Sequence, residues 1–193
     1  MKTIILDFET TGLNIFHDDI IEYALLDVHT GDSINSFVQL KNKREVSKFI
    51  TKLTSITTDM TKNGELVDDA ANNIHTFICK HSRKNEKVVL VAHNGDAFDF
   101  PLMKRLMSEN AIFMDRKVEY FDTMRFAQIL MPRLFSFRQA NLCKVFKITN
   151  DAEHRAIGDV NCLLKIYERL VSMYSTRPST IQDHLDFVYQ KIR

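Results

Sequence analysis

The stretch Thr3-Ile4-Ile5-Leu6-Asp7-Phe8-Glu9-Thr10-Thr11-Gly12-Leu13 carries both the fold and its first anomaly. Thr3–Phe8 is a near-continuous β-prone run, as expected for a strand buried on both faces. Asp7 and Glu9 interrupt it. Being two apart, they project from one face of the strand. Two adjacent carboxylates in a buried position repel each other and lose hydration, at a cost on the order of several kcal/mol unless a cation neutralises them. An oxygen-only ligand set points to magnesium or manganese rather than zinc. Taken alone, the pair also fits a strand end with two exposed acids. Thr10, Thr11 and Gly12 let the backbone leave the strand tightly and approach a ligand. Leu13 then becomes a hydrophobic tip beside the acids.

Outward from this strand, the pattern is mixed. Ile20–Val28 and Ser33–Leu40 read as further strands, joined by a His29-Thr30-Gly31-Asp32 turn. Three strands with short links predict an antiparallel meander. Leu66, Ala70, Ile74, Phe77 and Ile78 share one helical face. Lys87–Ala92 and Val118–Phe121 are short strands. Pro101 suits the first turn of a helix running to about Asn110. From Thr123 onward the pattern is mainly helical, with an apolar stripe through Val160, Leu163, Leu164, Tyr167 and Leu170. Ser179 and Gln182 suggest a capping box before a last amphipathic helix. Strands arrive first as hairpins and later alternate with helices. The expected fold class is therefore α/β, one mixed five-stranded sheet flanked by helices.

The 193 residues, 45% hydrophobic and 26% charged, suit a single globular domain over 1–193 with one sizeable core. The formal net charge is +1, which excludes a polybasic nucleic-acid binder. Any phosphate must be held by a local site or by metals. No run is long enough for a signal peptide or a membrane span. Cys79, Cys143 and Cys162 are odd in number and lack a CxxC pair, so they read as buried thiols in a reducing, intracellular compartment, cytoplasmic or nuclear. Lys41–Glu45, Lys62–Glu65 and His81–Glu86 are candidate loops.

Two more segments carry chemistry. His93-Asn94-Gly95-Asp96-Ala97-Phe98-Asp99-Phe100-Pro101 follows a strand and opens a helix. Asp99 falls at or near the helix N-cap, and capping is by itself a sufficient role. Asp96 reads as a loop acid. His154-Arg155-Ala156-Ile157-Gly158-Asp159 precedes the best amphipathic helix, with Asp159 in its first turn, where an acid also opposes the helix dipole.

Together, Asp-x-Glu on a first strand, Asp99 at a strand-to-helix turn and His-x4-Asp on a late helix resemble the DEDDh 3′→5′ exonucleases of the DnaQ-like, RNase H-like fold class. Leu53-Thr54-Ser55-Ile56-Thr57 resembles the family's loop before its first helix, and Phe121-Asp122-Thr123 its strand-end Asp-Thr, where Asp122 reads as structural. Ala92-His93-Asn94-Gly95-Asp96, with Asp99-Phe100-Pro101-Leu102, is especially similar to the TREX three-prime repair exonucleases. Thr10 departs from their usual alanine, and neither their proline-rich segment nor a hydrophobic C-terminal extension is present.

The resemblance implies an RNase H-like sheet. It maps Asp7, Glu9, Asp99 and Asp159 onto four metal-binding acids, whose −4 charge two Mg²⁺ ions balance, with Mn²⁺ able to substitute. It makes His154 the general base on a bound water. Thr10, Thr11, Gly12 and Leu13 would hold the terminal nucleotide, Asn94 the adjoining backbone, and Arg155 either a phosphate or nothing but solvent. The partner implied is a DNA 3′ end, single-stranded or frayed, and the TREX likeness implies a place in DNA repair. TREX proteins dimerise through a sheet edge, which Ser33–Leu40 is able to supply, though any meander has edges. RNA-trimming relatives share the acids, so DNA versus RNA stays open. A silent nuclease-fold scaffold is the alternative of a different class. Tyr23-x3-Asp27 matches the family's tyrosine variant in spacing but lies on an early strand, and reads as chance.

Overall fold

The computed structural model describes residues 2–41, 44–80, 86–114, 117–149 and 155–175. In chain order these form β1 (Lys2–Thr10), β2 (Ile20–Asp27), β3 (Ser33–Phe37), α1 (Lys48–Thr54), α2 (Thr58–Lys62), α3 (Val67–Cys79), β4 (Lys87–Ala92), α4 (Asp99–Glu109), β5 (Lys117–Asp122), α5 (Thr123–Leu130), α6 (Gln139–Phe146) and α7 (Ala156–Ser175). His154, residues 81–85 of the expected loop and the capping box at Ser179 and Gln182 lie outside the described residues.

The sheet runs β3-β2-β1-β4-β5. β1, β2 and β3 pair antiparallel, while β4 and β5 run parallel to β1. This is the mixed five-stranded, helix-flanked sheet that the pattern predicts. The parallel pairings need crossovers, and α3 and α4 supply them. β3 lies at one edge, the position that pairing through Ser33–Leu40 requires.

Alternation along β1 sorts its side chains between two cores. Ile4, Leu6 and Phe8 pack with Ala70, Ile74 and Phe77 of α3 and Leu102 and Leu106 of α4. Ile5 points the other way, to Phe126, Leu142, Val160, Leu163 and Ile166 on α5, α6 and α7. Asp7 and Glu9 continue the face of Ile5, so the two acids look toward the α7 side of the sheet.

Two differences from expectation have local causes. β3 stops at Phe37, short of Leu40, because Glu65 draws the chain aside: Glu65 N–H donates to Phe37 O at 2.8 Å and Gln39 N–H to Glu65 O at 2.8 Å. Gly64 permits that approach, since a Cβ there would sit 2.4 Å from Phe37 O. α1 and α2 were not anticipated. At 7 and 5 residues they are too short to display a helical period. Their caps hold them: Ile50 N–H donates to Ser47 Oγ at 3.2 Å and Met60 N–H to Thr57 Oγ1 at 3.3 Å. Phe98 takes the N-cap position of α4 and Asp99 is its first residue, next to the cap as expected.

Asp122 is structural, as the motif suggests. Its carboxylate caps α5 by accepting from Met124 N–H at 2.8 Å and Arg125 N–H at 3.3 Å. It also accepts from Asn94 N–H at 3.1 Å and Asp96 N–H at 3.2 Å, tying the loop after β4 to the end of β5. Asp122→Ala removes all four acceptances from a buried position. Urea unfolding should show a loss of about 2–4 kcal/mol with an unchanged m value; a loss below about 1 kcal/mol would contradict this role.

Candidate metal centre

Three acids from two distant segments meet beside the sheet. Asp7, Glu9 and Asp159 each offer a carboxylate oxygen, and the three oxygens lie within 4.8 Å of one another. β1 presents the first two on its α7 face. Asp159 comes from the first turn of α7, which Asp159 N–H closes by donating to Arg155 O at 2.9 Å. Gln139, opening α6, donates through Nε2 to Asp159 Oδ1 at 3.1 Å and to Asp159 O at 3.0 Å.

Asp99 arrives from the other side. It is 4% exposed, and its Oδ1 accepts from Phe8 N–H at 3.2 Å. That donor is free because β1 pairs with β4 only as far as Ile5↔Val91. Beyond this point the β4 side of β1 is open, and the start of α4 fills the gap. Asp99 thus bonds to the strand between Asp7 and Glu9. A register shift at Glu9/Thr10 bends the strand out of the ladder beside the acids.

The electrostatics of the cluster favour positive charge. Burial raises the Asp7 carboxyl well above its ordinary range, and Asp99, Asp159, Glu9 and Glu22 raise it further. Glu9 is pushed up to about 8, first by burial and then by Asp159, Glu22 and Asp99, with Arg155 pulling the other way. Burial also raises Asp99, against the lowering effect of the Phe8 N–H bond. A donor set made only of carboxylate oxygens, in which Glu9 is pushed up to about 8, suits a hard dication that displaces its proton.

The other site residues divide. Thr10 Oγ1 donates to Gly12 O at 2.6 Å. Thr11 Oγ1 donates to Asp18 Oδ1 at 2.9 Å, and Thr11 N–H to Asp19 O at 2.9 Å. Both hydroxyls and the Thr11 amide are therefore engaged within the protein. Gly12 and Leu13 amides have no partner among the described residues, and the Leu13 side chain is 87% exposed. Gly12 fits closely against Asp18, whose carboxylate a Cβ would meet at 2.5 Å. Asn94 has φ 60° and gives its N–H to Asp122. Asp96 pairs with Arg125 at 3.0 Å, as a loop acid.

Arg155 is half-buried and bonded within the protein. It forks onto the buried Glu22. Glu22 was missed at the sequence level, although the signal was of the same kind as at Asp7: one acid inside the apolar run Ile20-Ile21-Glu22-Tyr23-Ala24-Leu25. Tyr23 faces the opposite core and its OH donates to Glu65 at 3.0 Å, which accords with reading the tyrosine spacing as chance.

These shifts set a pH dependence. A carboxyl whose folded pKa is raised contributes stability that is fully present below its unfolded pKa, about 4.5 for Glu9, and is lost as pH rises through about 8. In EDTA, the melting temperature should therefore fall between pH 5 and pH 8. Mn²⁺ or Mg²⁺ should reverse the fall at pH 8, and Glu9→Gln should flatten it. A metal-free melting temperature that rises across this window would contradict the site as drawn.

The chain is similar to known proteins. An exonuclease family model, RNase_T, matches residues 4–167. The DNA polymerase III PolC-type of Halalkalibacterium halodurans is 32% identical over 184 residues, covering 95% of this chain and 12% of that protein. The PolC-type polymerase of Lactococcus lactis is 33% identical over 157 residues, covering 81% of this chain and 9% of that protein. The chain thus spans only a small part of these relatives' length. Escherichia coli exonuclease I in complex with a dT13 oligonucleotide superposes with a TM-score of 0.77 over 95% of this chain and 43% of that one; at 18% identity this shows a shared fold. The special likeness to TREX proteins rests on the motif residues alone. With the family model spanning both acid-bearing ends of the site, from before Asp7 to beyond Asp159, the chain belongs to the RNase_T exonuclease family.

Proposed function

We propose that the chain is a metal-dependent 3′→5′ exonuclease that removes nucleoside 5′-monophosphates from DNA, favouring single-stranded or frayed ends. The observation that carries this reading is the meeting of Asp7, Glu9 and Asp159 within 4.8 Å, with Asp99 bonded to the strand between the first two. Family membership supports it. So do the DNA polymerases among the relatives and the oligonucleotide held by exonuclease I.

Asp7, Glu9, Asp99 and Asp159 would hold the cations, two Mg²⁺ with Mn²⁺ able to replace them. Bound dications supply charge neutralisation at the scissile phosphate and an acidified water. His154 would act as the general base on the attacking water, the role the family resemblance gives it. Gly12 and Leu13 amides reach the sugar and phosphate of the last nucleotide, and the Leu13 side chain meets its base. Contacts of this kind carry little base information, so sequence preference is weak.

The test is an incubation of the chain with matched 3′-terminal DNA and RNA oligonucleotides, in Mg²⁺ or EDTA, with mononucleotide release followed over time. DNA should be trimmed from its 3′ end only with metal, and duplex ends more slowly. Asp159→Ala should abolish cleavage and weaken metal binding. His154→Ala should lower turnover by roughly 10²–10⁴ with metal binding retained. Equal or faster trimming of RNA would reassign the substrate, and absence of cleavage by the wild type would make this a binding module.

A further inference from the structure

Arg155 and Glu22 form an arrangement that the reaction as proposed does not use. Glu22 is fully buried in β2, on the sheet face that carries Ala24 and Leu26 toward α7. Its carboxylate accepts from Arg155 Nη2 at 2.8 Å and from Arg155 Nε at 3.1 and 3.2 Å. It also accepts from Ala156 N–H at 3.1 Å, the first amide of α7. The far face of the guanidinium lies over the Phe37 ring, 5.2 Å from its centroid. In the ladder, Glu22 is the Cα partner of Glu9. On the helix, Asp159 N–H bonds to Arg155 O. A continuous path of contacts therefore runs from Glu9 across the strands to Glu22, through Arg155 and one helical turn to Asp159.

We infer that Glu22 and Arg155 are positioning residues, a clamp that fixes the start of α7 against β2 and so holds Asp159 opposite Asp7 and Glu9. The inference rests on the metal-site reading above. A forked guanidinium–carboxylate pair fixes direction as well as distance. The Ala156 amide adds a third donor, so the turn is held in position and in rotation about the helix axis.

Charge and position predict different things, and this makes the clamp testable. Glu22→Gln removes a negative charge near the acids, whereas Arg155→Met removes a positive one. If the pair acted only through its charge, metal affinity would fall in the first variant and rise in the second. A positioning role lowers it in both. Arg155→Lys keeps the charge and loses the fork, and should resemble Arg155→Met.

The experiment titrates Mn²⁺ into the metal-free full chain, without nucleic acid, for the wild type and the three variants, alongside thermal unfolding. All three variants should bind Mn²⁺ about 10–100-fold more weakly, the usual cost of losing support behind a ligand. Oligonucleotide cleavage should fall mainly in kcat. Shifts of opposite sign in Glu22→Gln and Arg155→Met, or wild-type affinity in Arg155→Lys, would overturn the clamp. So would a rise in KM at unchanged Mn²⁺ affinity, which would return Arg155 to phosphate binding. Should Arg155→Met fail to fold, the Glu22→Gln and Arg155→Lys pair still decides. A wild type that binds no Mn²⁺ would defeat the metal-site reading itself, a result distinct from any of these.

Discussion

Buried carboxylates that face one another do not tolerate each other without a counter-charge, and this constraint shapes the molecule. Asp7 and Glu9 sit on a strand whose remaining side chains are committed to two apolar cores. Asp99 and Asp159 are brought to them by helices on opposite sides of the sheet. Each packing decision that builds the core also drives these acids together. The free energy lost to repulsion and desolvation must come from the surrounding apolar burial. What remains is a cluster of carboxyls whose protonated form burial favours, as the raised Asp7, Glu9 and Asp99 groups show. On the proposed reading, a chain of formal net charge +1 would meet a polyanion through cations held at this site rather than through its overall charge.

Much of this was legible in the residues. The mixed sheet with its leading meander follows from short β-prone runs, while the acids at 7, 9, 99 and 159 each had an ordinary local reading and were grouped only by the family resemblance. Asp122 was readable as structural because an Asp-Thr at a strand end has a capping role available to it. Glu22 and Arg155 were harder. Each looks ordinary by itself, and the two are 133 residues apart, so only the antiparallel pairing of β1 with β2 and the docking of α7 reveal the pair. α1 and α2 escaped because their stability lies in side-chain caps and tertiary contact rather than in periodic sequence.

The loop after β1 shows the same division. Its composition suggested open amides. The structure engages Thr10 and Thr11 internally and leaves the Leu13 side chain outward. Asp18 makes the difference, accepting from Thr11 Oγ1 and Asn14 N–H, while Arg105 donates to the carbonyls of Ile15 and Asp18. A loop tied down at so many points pays its ordering entropy during folding, so a ligand meeting Leu13 need not.

The most direct measurement is anomalous diffraction at the manganese edge from crystals of the chain grown with Mn²⁺. The account predicts density bounded by the carboxylates of Asp7, Glu9 and Asp159, with Asp99 alongside. Manganese bound elsewhere, with these four side chains turned apart, would contradict it.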